Sequence, residues 1–263
     1  MKIGFIGCGN MGSALCSAII ASRDVSLYIS DTNSKKLGEV CAQLKAEAAT
    51  SVEIARTCDF IFLAVKPNIV PLVAEEIKDF VPSDAAIVSM AAGVSIASLS
   101  SYFEEDKKII RIMPNTPVAL GKGVVLYCVS SAVTNGDEAA FTDIMSAVGT
   151  LDKISESLID AASAVSGCGP AFVYMFIEAL ADGGVACGLP RDKAMLYACE
   201  TLKGAAEMVL ATKKHPGQLK DEVCSPGGST IEGVHALEDG AFRSTVSDAV
   251  IAAYDKTKRL GNK

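Results

Sequence analysis

The stretch KIGFIGCGNMG, Lys2 to Gly12, places an apolar run directly before a G-x-G-x-x-G pattern. Together they predict a β-strand, a tight glycine turn and the first turn of an α-helix, the arrangement that binds a dinucleotide. Gly7 would permit the turn, Gly9 would leave room for a pyrophosphate, and Gly12 would let helix and strand pack closely. A glycine turn without a ligand is the alternative, but the strand before it and the helical pattern after it favour binding.

Apolar runs alternate with helical patterns over the rest of the first half of the chain. The predicted strands are KIGFI (2–6), SLYIS (26–30), FIFLAV (60–65), AIVSM (86–90) and KIIRIM (108–113). The third run is apolar at every position, so both of its faces need cover, as in a parallel sheet flanked by helices. This alternation predicts an α/β fold whose N-terminal part is a Rossmann-type, doubly wound parallel sheet.

The pattern changes beyond about residue 149, where alanine-rich helical patterns replace strand-like runs. Helices are predicted over residues 158–187, 192–212 and 242–259, separated by the breakers GLPRD, KKHPGQ and SPGG. We therefore expect a Rossmann domain over residues 1–154 and an all-α domain over residues 155–263. Because these helices carry small residues and few aromatic ones, burial against a second copy is expected, and a homodimer is predicted.

Composition argues against several classes of partner. The chain has a net charge of -7 and no long basic run, so nucleic acid is not expected. The most apolar window, residues 158–181, is interrupted by Asp160, Pro170 and Glu178, so no membrane span is expected. The N-terminus lacks the apolar core of a signal peptide, which favours a cytoplasmic protein.

The cysteine and histidine content gives no sign of a metal site. The nine cysteines form no Cys-x-x-Cys pair, which is typical of reduced thiols in apolar surroundings. The spacing of His215, Cys224 and His235 matches no zinc pattern, and no metal is expected.

Polar residues follow the second predicted strand. Asp31 stands where an acid commonly holds the ribose 2′-hydroxyl of NAD, and an aspartate at a turn is also able to cap the next helix. Residues that could instead meet the 2′-phosphate of NADP are Ser30, Thr32, Asn33, Ser34, Lys35 and Lys36. Both cofactors therefore stay open on this evidence. The segments AVKPN (64–68) and MAAG (90–93) close two further strands, so they are expected at the same ligand-binding edge.

Longer motifs together resemble the pyrroline-5-carboxylate reductase family. They are GFIGCGNMGSAL, AVKPN, MAAGVSI, RIMPNTP, SGCGPAF, EALADGG, CGLPRDKA, HPGQLKDEVCSPGGSTIEGVHALE and FRSTVSDAVIAAYDKTKRL, in order over nearly the whole chain. The resemblance implies reduction of the C=N bond of 1-pyrroline-5-carboxylate to L-proline with NAD(P)H, NADPH being preferred and NAD possible. It also implies a Rossmann domain followed by a helical dimerisation domain, in dimers that assemble further into decamers.

The resemblance assigns roles to individual residues. The N–H groups of Gly228, Ser229 and Thr230 would bind the substrate carboxylate, and the Thr230 hydroxyl would act in catalysis by hydrogen-bonding the ring nitrogen. Ser225 would shape the loop and Glu156 would lie near the substrate. For Thr230, the alternative is a hydroxyl that only caps a helix. Together with the glycine loop, the cofactor-binding residues would be Ile6, Gly7, Cys8, Gly9, Asn10, Met11, Gly12, Asp31, Val65, Lys66, Pro67, Ala91, Ala92 and Glu222.

Two rival functions are weaker. The β-hydroxyacid dehydrogenases carry a catalytic lysine and an asparagine four residues later, and the comparable positions here are Val173 and Ile177. A nucleotide-sensing or pyridoxal-phosphate-handling protein would have no use for the intact SPGGST loop. One departure from the resembled family is Cys168, which stands where serine is usual. A small residue in a helix-packing loop explains it better than thiol catalysis.

Overall fold

The computed structural model describes residues 1–103 and 106–261. The strands are β1 Lys2–Ile6, β2 Ser26–Ser30, β3 Glu47–Ala48, β4 Phe60–Leu63, β5 Ala86–Ser89, β6 Lys108–Met113, β7 Gly123–Val129 and β8 Gly149–Lys153. The helices are α1 Asn10–Ser22, α2 Ser34–Leu44, α3 Ser51–Thr57, α4 Val70–Ile77, α5 Ile96–Tyr102, α6 Asn135–Ile144, α7 Glu156–Ser166, α8 Gly169–Ala186, α9 Arg191–Thr212, α10 Pro216–Val223, α11 Ser229–Asp239 and α12 Phe242–Gly261. The chain forms two compact units: unit 1 comprises residues 1–168 with the residues from 253 on, and unit 2 comprises residues 169–252.

The sheet of unit 1 has the strand order β3-β2-β1-β4-β5-β6-β7-β8. All strands from β3 to β6 in this order are parallel, which confirms the predicted Rossmann-type sheet and all of its predicted strands. Three additional strands were not predicted: β3, β7 and β8. β7 pairs antiparallel with β6 and parallel with β8. β3 has two residues and β8 is mostly exposed, so neither shows the apolar pattern of a strand. β7 follows two prolines, which favour a loop over a further strand.

Both faces of the sheet are covered by helices. Because side chains alternate along a strand, Phe62 of β4 packs with Phe5 and Leu15 on one face. The Phe5 and Phe62 rings are stacked with their centroids 4.4 Å apart. On the other face Ile61 packs with Ile54. Each such buried side chain contributes about 1.5–3 kcal/mol, so this core fixes the strand ends that carry the loops of the site.

The predicted helix over residues 158–187 is in fact two helices, α7 and α8, separated at Gly167 and Cys168. Pro170 explains the break, because proline has no N–H and fits only the first turn of a helix. Since Ile159 of α7 packs with Met113 of β6 in unit 1, the compact units divide after Cys168. The boundary predicted at residue 154 follows the end of the last strand and stays a prediction of where the dimerisation domain begins.

Unit 2 buries little within the chain. Its buried apolar side chains, among the described residues, are Ala181, Ala194 and Ala198, between α8 and α9. Large apolar side chains at the surface of this unit include Met175 on α8, Tyr197 on α9 and Val246 on α12. By length and composition alone, residues 156–186 are long and apolar enough to cross a membrane, and 11% of the most apolar window is buried in the chain. Apolar helices this exposed need another surface to cover them.

Candidate functional site

The glycine loop between β1 and α1 is held in a shape that only glycine allows at two positions. Gly7 has φ +101°, and a Cβ on it would lie 2.5 Å from the carbonyl oxygen of Ala64. Its N–H donates to the Ser30 carbonyl at 2.7 Å, which ties the turn to β2. A Cβ on Gly12 would lie 2.7 Å from the Gly7 carbonyl oxygen. These two glycines are therefore required by the fold of the loop itself.

Gly9 differs from its two neighbours in the motif. Its φ of -59° suits any residue, and a Cβ built on it would meet no atom within 4 Å. Gly9 is also the N-cap of α1, and no side chain caps this helix. The space in front of Gly9 and the free N–H groups of the first turn suit a pyrophosphate, so the residues present fit a dinucleotide cofactor.

Asp31 braces this loop. Its carboxylate accepts hydrogen bonds from the Cys8 N–H at 2.7 Å and the Asn33 N–H at 2.9 Å. Helix α2 is capped by Asn33, which accepts the Lys36 N–H at 3.1 Å, so Asp31 is not the cap that one alternative required. Burial raises the pKa of Asp31, but the N–H donors of Asn33 and Cys8 outweigh it and hold that pKa below its usual value. A carboxylate therefore stands beside the glycine loop at neutral pH.

Cys8 contributes its backbone, since its side chain is fully buried. Burial, with the Asp31 carboxylate as a second cause, raises the pKa of the Cys8 thiol to about 11. The thiol is therefore protonated and unreactive at neutral pH.

A cleft of about 430 Å³ opens at the carboxyl ends of β1, β2 and β4. Predicted cofactor residues that line it are Ile6, Gly7, Gly9, Asp31, Val65 and Lys66. The other predicted cofactor residues of unit 1 do not line it: Cys8, Gly12 and Ala91 are buried, Met11, Pro67 and Ala92 are partly exposed, and Asn10 is exposed at the start of α1. Sequence reasoning missed Ser51, whose hydroxyl lies 3.4 Å from that of Ser30. The Thr50–Glu53 capping box predicts that a helix starts at Ser51. The sequence does not show that this helix start lies beside the end of β2.

Glu156 begins α7 and reaches the segment that follows β5. Its Oε1 accepts the Ile96 N–H at 2.6 Å and lies 3.2 Å from Nη1 of Arg111. Nη2 of Arg111 donates to Asp160 at 2.7 Å. Oε2 of Glu156 has no hydrogen bond to any residue that the structure describes, and it remains available to a ligand. The structure thus joins Glu156, predicted to lie near the substrate, to the segment that carries Ala91 and Ala92, predicted to bind the cofactor.

The SPGGST loop lies in unit 2 and leads into α11. Gly227 has φ +65°, and the Gly228 N–H donates to the Ser225 carbonyl at 3.0 Å. A Cβ on Gly228 would lie 2.6 Å from Oγ of Ser225, so this serine packs directly on the loop. Gly228 is the N-cap of α11, and no side chain caps the helix. No capping side chain therefore accepts a hydrogen bond from the N–H groups of its first turn.

Thr230 is the second residue of α11, and its side chain is exposed. Among the described residues it has no hydrogen-bond partner for its hydroxyl, so it does not act as a helix cap. Ser229 is likewise exposed. The loop thus presents backbone N–H groups and a free hydroxyl together, a pairing suited to a carboxylate beside a ring nitrogen.

Glu222 lies on α10 of the same unit, ahead of the loop. Its Oε1 accepts from Nζ of Lys214 at 2.7 Å and from Nε2 of Gln218 at 3.2 Å. The Lys214 ammonium holds the pKa of Glu222 below its usual value. Over residues 1–103 and 106–261, no three His, Cys, Asp or Glu side chains are grouped so that they could hold a metal ion.

Comparison with known proteins extends over the whole chain. A family model described as pyrroline-5-carboxylate reductase dimerisation matches residues 156–260, and one described as NADP oxidoreductase, coenzyme F420-dependent, matches residues 2–93. The pyrroline-5-carboxylate reductase of Escherichia coli (strain K12) is 42% identical over 263 residues, with 98% of each chain covered. That of Arabidopsis thaliana is 40% identical over 265 residues, covering 98% of this chain and 95% of the relative. The crystal structure of a Plasmodium falciparum pyrroline carboxylate reductase with NADP bound superposes with a TM-score of 0.92 at 37% identity, covering 99% of this chain and 98% of that one.

Proposed function

The chain belongs to the pyrroline-5-carboxylate reductase family, and we propose from this membership which of its residues carry out the reaction. It is an oxidoreductase that reduces the C=N bond of 1-pyrroline-5-carboxylate to L-proline with hydride from NAD(P)H, the last step of proline biosynthesis. The dehydrogenase alternative loses support because Val173 and Ile177 offer no proton relay.

The cofactor is NADP, and we propose that unit 1 holds most of it. We propose that the N–H groups at Gly9 and in the first turn of α1 bind the pyrophosphate, while the cleft beside Asp31 and Ser51 takes the adenosine ribose. Val65, Lys66 and Pro67 would follow the cofactor across the strand ends, with Ala91 and Ala92 at its nicotinamide end. When bound, NADPH supplies the hydride. The task of the protein is to orient the cofactor, exclude water and hold the substrate.

The substrate is proposed to bind at the start of α11. Its carboxylate would accept hydrogen bonds from the N–H groups of Gly228, Ser229 and Thr230, and the positive end of the helix dipole would stabilise its charge. The ring nitrogen of the imine would be protonated, and its N–H would donate to the Thr230 hydroxyl. Because a protonated imine already is a strong electrophile, the site needs a hydrogen-bond partner at nitrogen more than a strong base. This suits a chain that has two histidines in all.

The observation that supports this assignment is the uncapped first turn of α11 with the free Thr230 hydroxyl in it. The test is oxidation of NADPH by the purified protein, followed by absorbance. We expect turnover with 1-pyrroline-5-carboxylate, weaker turnover with a six-membered piperideine carboxylate, and a higher kcat/KM with NADPH than with NADH. Absence of turnover with both imines would refute the enzymatic assignment and favour a non-catalytic nucleotide-binding protein, and a strong preference for NADH would refute the NADPH preference.

The chain forms a homo-oligomer through its dimerisation domain. We propose that a second copy covers the exposed apolar helices of unit 2, including α8 from the membrane-length stretch over residues 156–186, and that dimers assemble further into decamers in the cytoplasm. Light scattering of the protein purified without detergent should then give ten chains per particle, or two if assembly stops at the dimer. A monomer at micromolar concentration, or protein recovered only with membranes, would contradict this proposal.

A further inference from the structure

Arg111 is a charged residue in the interior of unit 1. It lies on β6, and 3% of its surface is exposed. Its Nη1 and Nη2 pair with Glu156 and Asp160, while its Nε is buried and has no hydrogen-bond partner among the described residues. Taking a guanidinium out of water costs several kcal/mol, and apolar residues often replace such a pair without loss of stability. Stability alone is therefore a weak reason for an arginine here.

Glu156 links this arginine to the segment after β5. The oxygen that faces Arg111, Oε1, is the same one that accepts the Ile96 N–H. Ile96 is the first residue of α5, where backbone N–H groups have no partner within the helix. The Ser95 hydroxyl already accepts the Ser98 N–H at 3.1 Å, so the Ile96 N–H depends on Glu156.

The segment between β5 and α5 packs on the core through Ala91 and Val94 but has few other hydrogen bonds. Ala91 donates its N–H to Oγ of Ser89 at 3.4 Å, and Val94 donates to the Ala91 carbonyl at 3.3 Å. Gly93 has φ +76°. These are long, local contacts, so the charge-assisted bond from Ile96 to Glu156, at 2.6 Å, is the shortest hydrogen bond of the segment and the one that ties it to α7.

The other end of α7 is held by the same motif that contains Arg111. Asn115 donates from Nδ2 to the Ser166 carbonyl at 2.9 Å, and its Oδ1 accepts the Val124 N–H at 2.8 Å. The first residue of α7 is thus bonded to Arg111 of β6, and its last residue to Asn115, just after β6. Glu156 therefore stands on a rigid support, and Arg111 sets the direction in which its carboxylate points.

We propose that Arg111 is a positioning residue: acting through Oε1 of Glu156, it fixes the segment from Ala91 to Ile96 so that the nicotinamide end of the cofactor is held for reaction. This inference rests on the proposed function only in taking Ala91 and Ala92 as cofactor contacts. Since Arg111 lies behind Glu156, it need not touch the cofactor itself.

The test compares two ligands of the full-length protein by calorimetry: NADPH, and 2′-phospho-ADP-ribose, which lacks the nicotinamide. For Arg111→Met we expect the Kd for NADPH to rise about tenfold, the loss of one hydrogen bond, and the Kd for 2′-phospho-ADP-ribose to stay within about twofold. Arg111→Lys keeps the charge and should restore part of the NADPH affinity. Asp160→Asn is the matched control, because Asp160 pairs with Arg111 but not with Ile96, and both Kd values should stay within about twofold.

Equal weakening of both ligands in Arg111→Met, or no weakening of either, would overturn the proposal, because a purely structural role affects the whole cleft alike. If Arg111→Met does not fold, Glu156→Ala takes its place and should show the same selective loss of NADPH affinity. Neither measurement needs substrate, so absence of imine turnover leaves the result readable. A wild-type protein that binds neither ligand would overturn this inference together with the proposed cofactor site.

Discussion

Alanine in place of Thr230 is expected to lower kcat/KM for 1-pyrroline-5-carboxylate by about 10- to 1000-fold, the range for loss of one hydrogen bond at the reacting atoms. The Thr230 hydroxyl is exposed in the first turn of α11 and has no hydrogen-bond partner in the described chain. Removing it therefore breaks no contact within the protein, and Tm should change little. The loss should fall mainly on kcat, because the substrate carboxylate would still meet the N–H groups of the helix.

Matched variants separate the hydroxyl from the loop. Thr230→Ser keeps a hydroxyl at the same carbon and should retain most of the activity. Ser229→Ala removes the neighbouring exposed hydroxyl but leaves the backbone N–H, so steady-state kinetics should remain within about threefold of wild type. Wild-type kinetics in Thr230→Ala would remove this residue from the reaction. A loss of activity accompanied by an equal loss of folded protein would assign Thr230 to the loop's structure.

Local patterns in the sequence predicted the parts of the molecule that are themselves local. The strand, glycine loop and helix from Lys2 to Ser22 follow from spacing and glycine chemistry alone. The buried run at β4 required cover on both faces, and the structure supplies it. Antiparallel β7 was missed because its partner β6 lies across two prolines, and no nearby residue signals that pairing.

Contacts between distant residues explain most of what the sequence did not reveal about the site. Asp31 was predicted as a ribose ligand or a helix cap. The structure excludes the cap and adds a contact that was not predicted, the N–H of Cys8, 23 positions earlier. Glu156 meets Ile96 across 60 positions and Arg111 across 45. A carboxylate is able to accept from many partners, so its residue type predicts a contact but not which one. The fold, by setting strand order, makes the choice.

The glycines of the dinucleotide loop divide by their physical roles. Backbone atoms lie within 2.5–2.7 Å of where a Cβ would stand on Gly7 or Gly12, so a substitution at either position lowers the stability of the fold. Gly9 has ordinary dihedral angles and open space in the same direction. A position that tolerates a side chain in the free protein but carries none suggests that something else occupies the space. We therefore propose that a ligand accounts for the absence of a side chain at Gly9, whereas the fold accounts for it at Gly12.

Valine at position 9 is therefore expected to weaken NADPH binding by about 100-fold or more, about 2.7 kcal/mol, with a Tm within a few degrees of wild type. The valine methyls would enter the space proposed for the pyrophosphate, and no atom lies within 4 Å of the Cβ that carries them. Gly12→Ala should instead lower Tm, because its Cβ would meet the Gly7 carbonyl oxygen. NADPH binding should be lost as a consequence of the distorted loop. Calorimetric titration with NADPH and thermal unfolding of both variants check the contrast. A Gly9→Val protein that binds NADPH like wild type would show that the pyrophosphate does not lie against this loop.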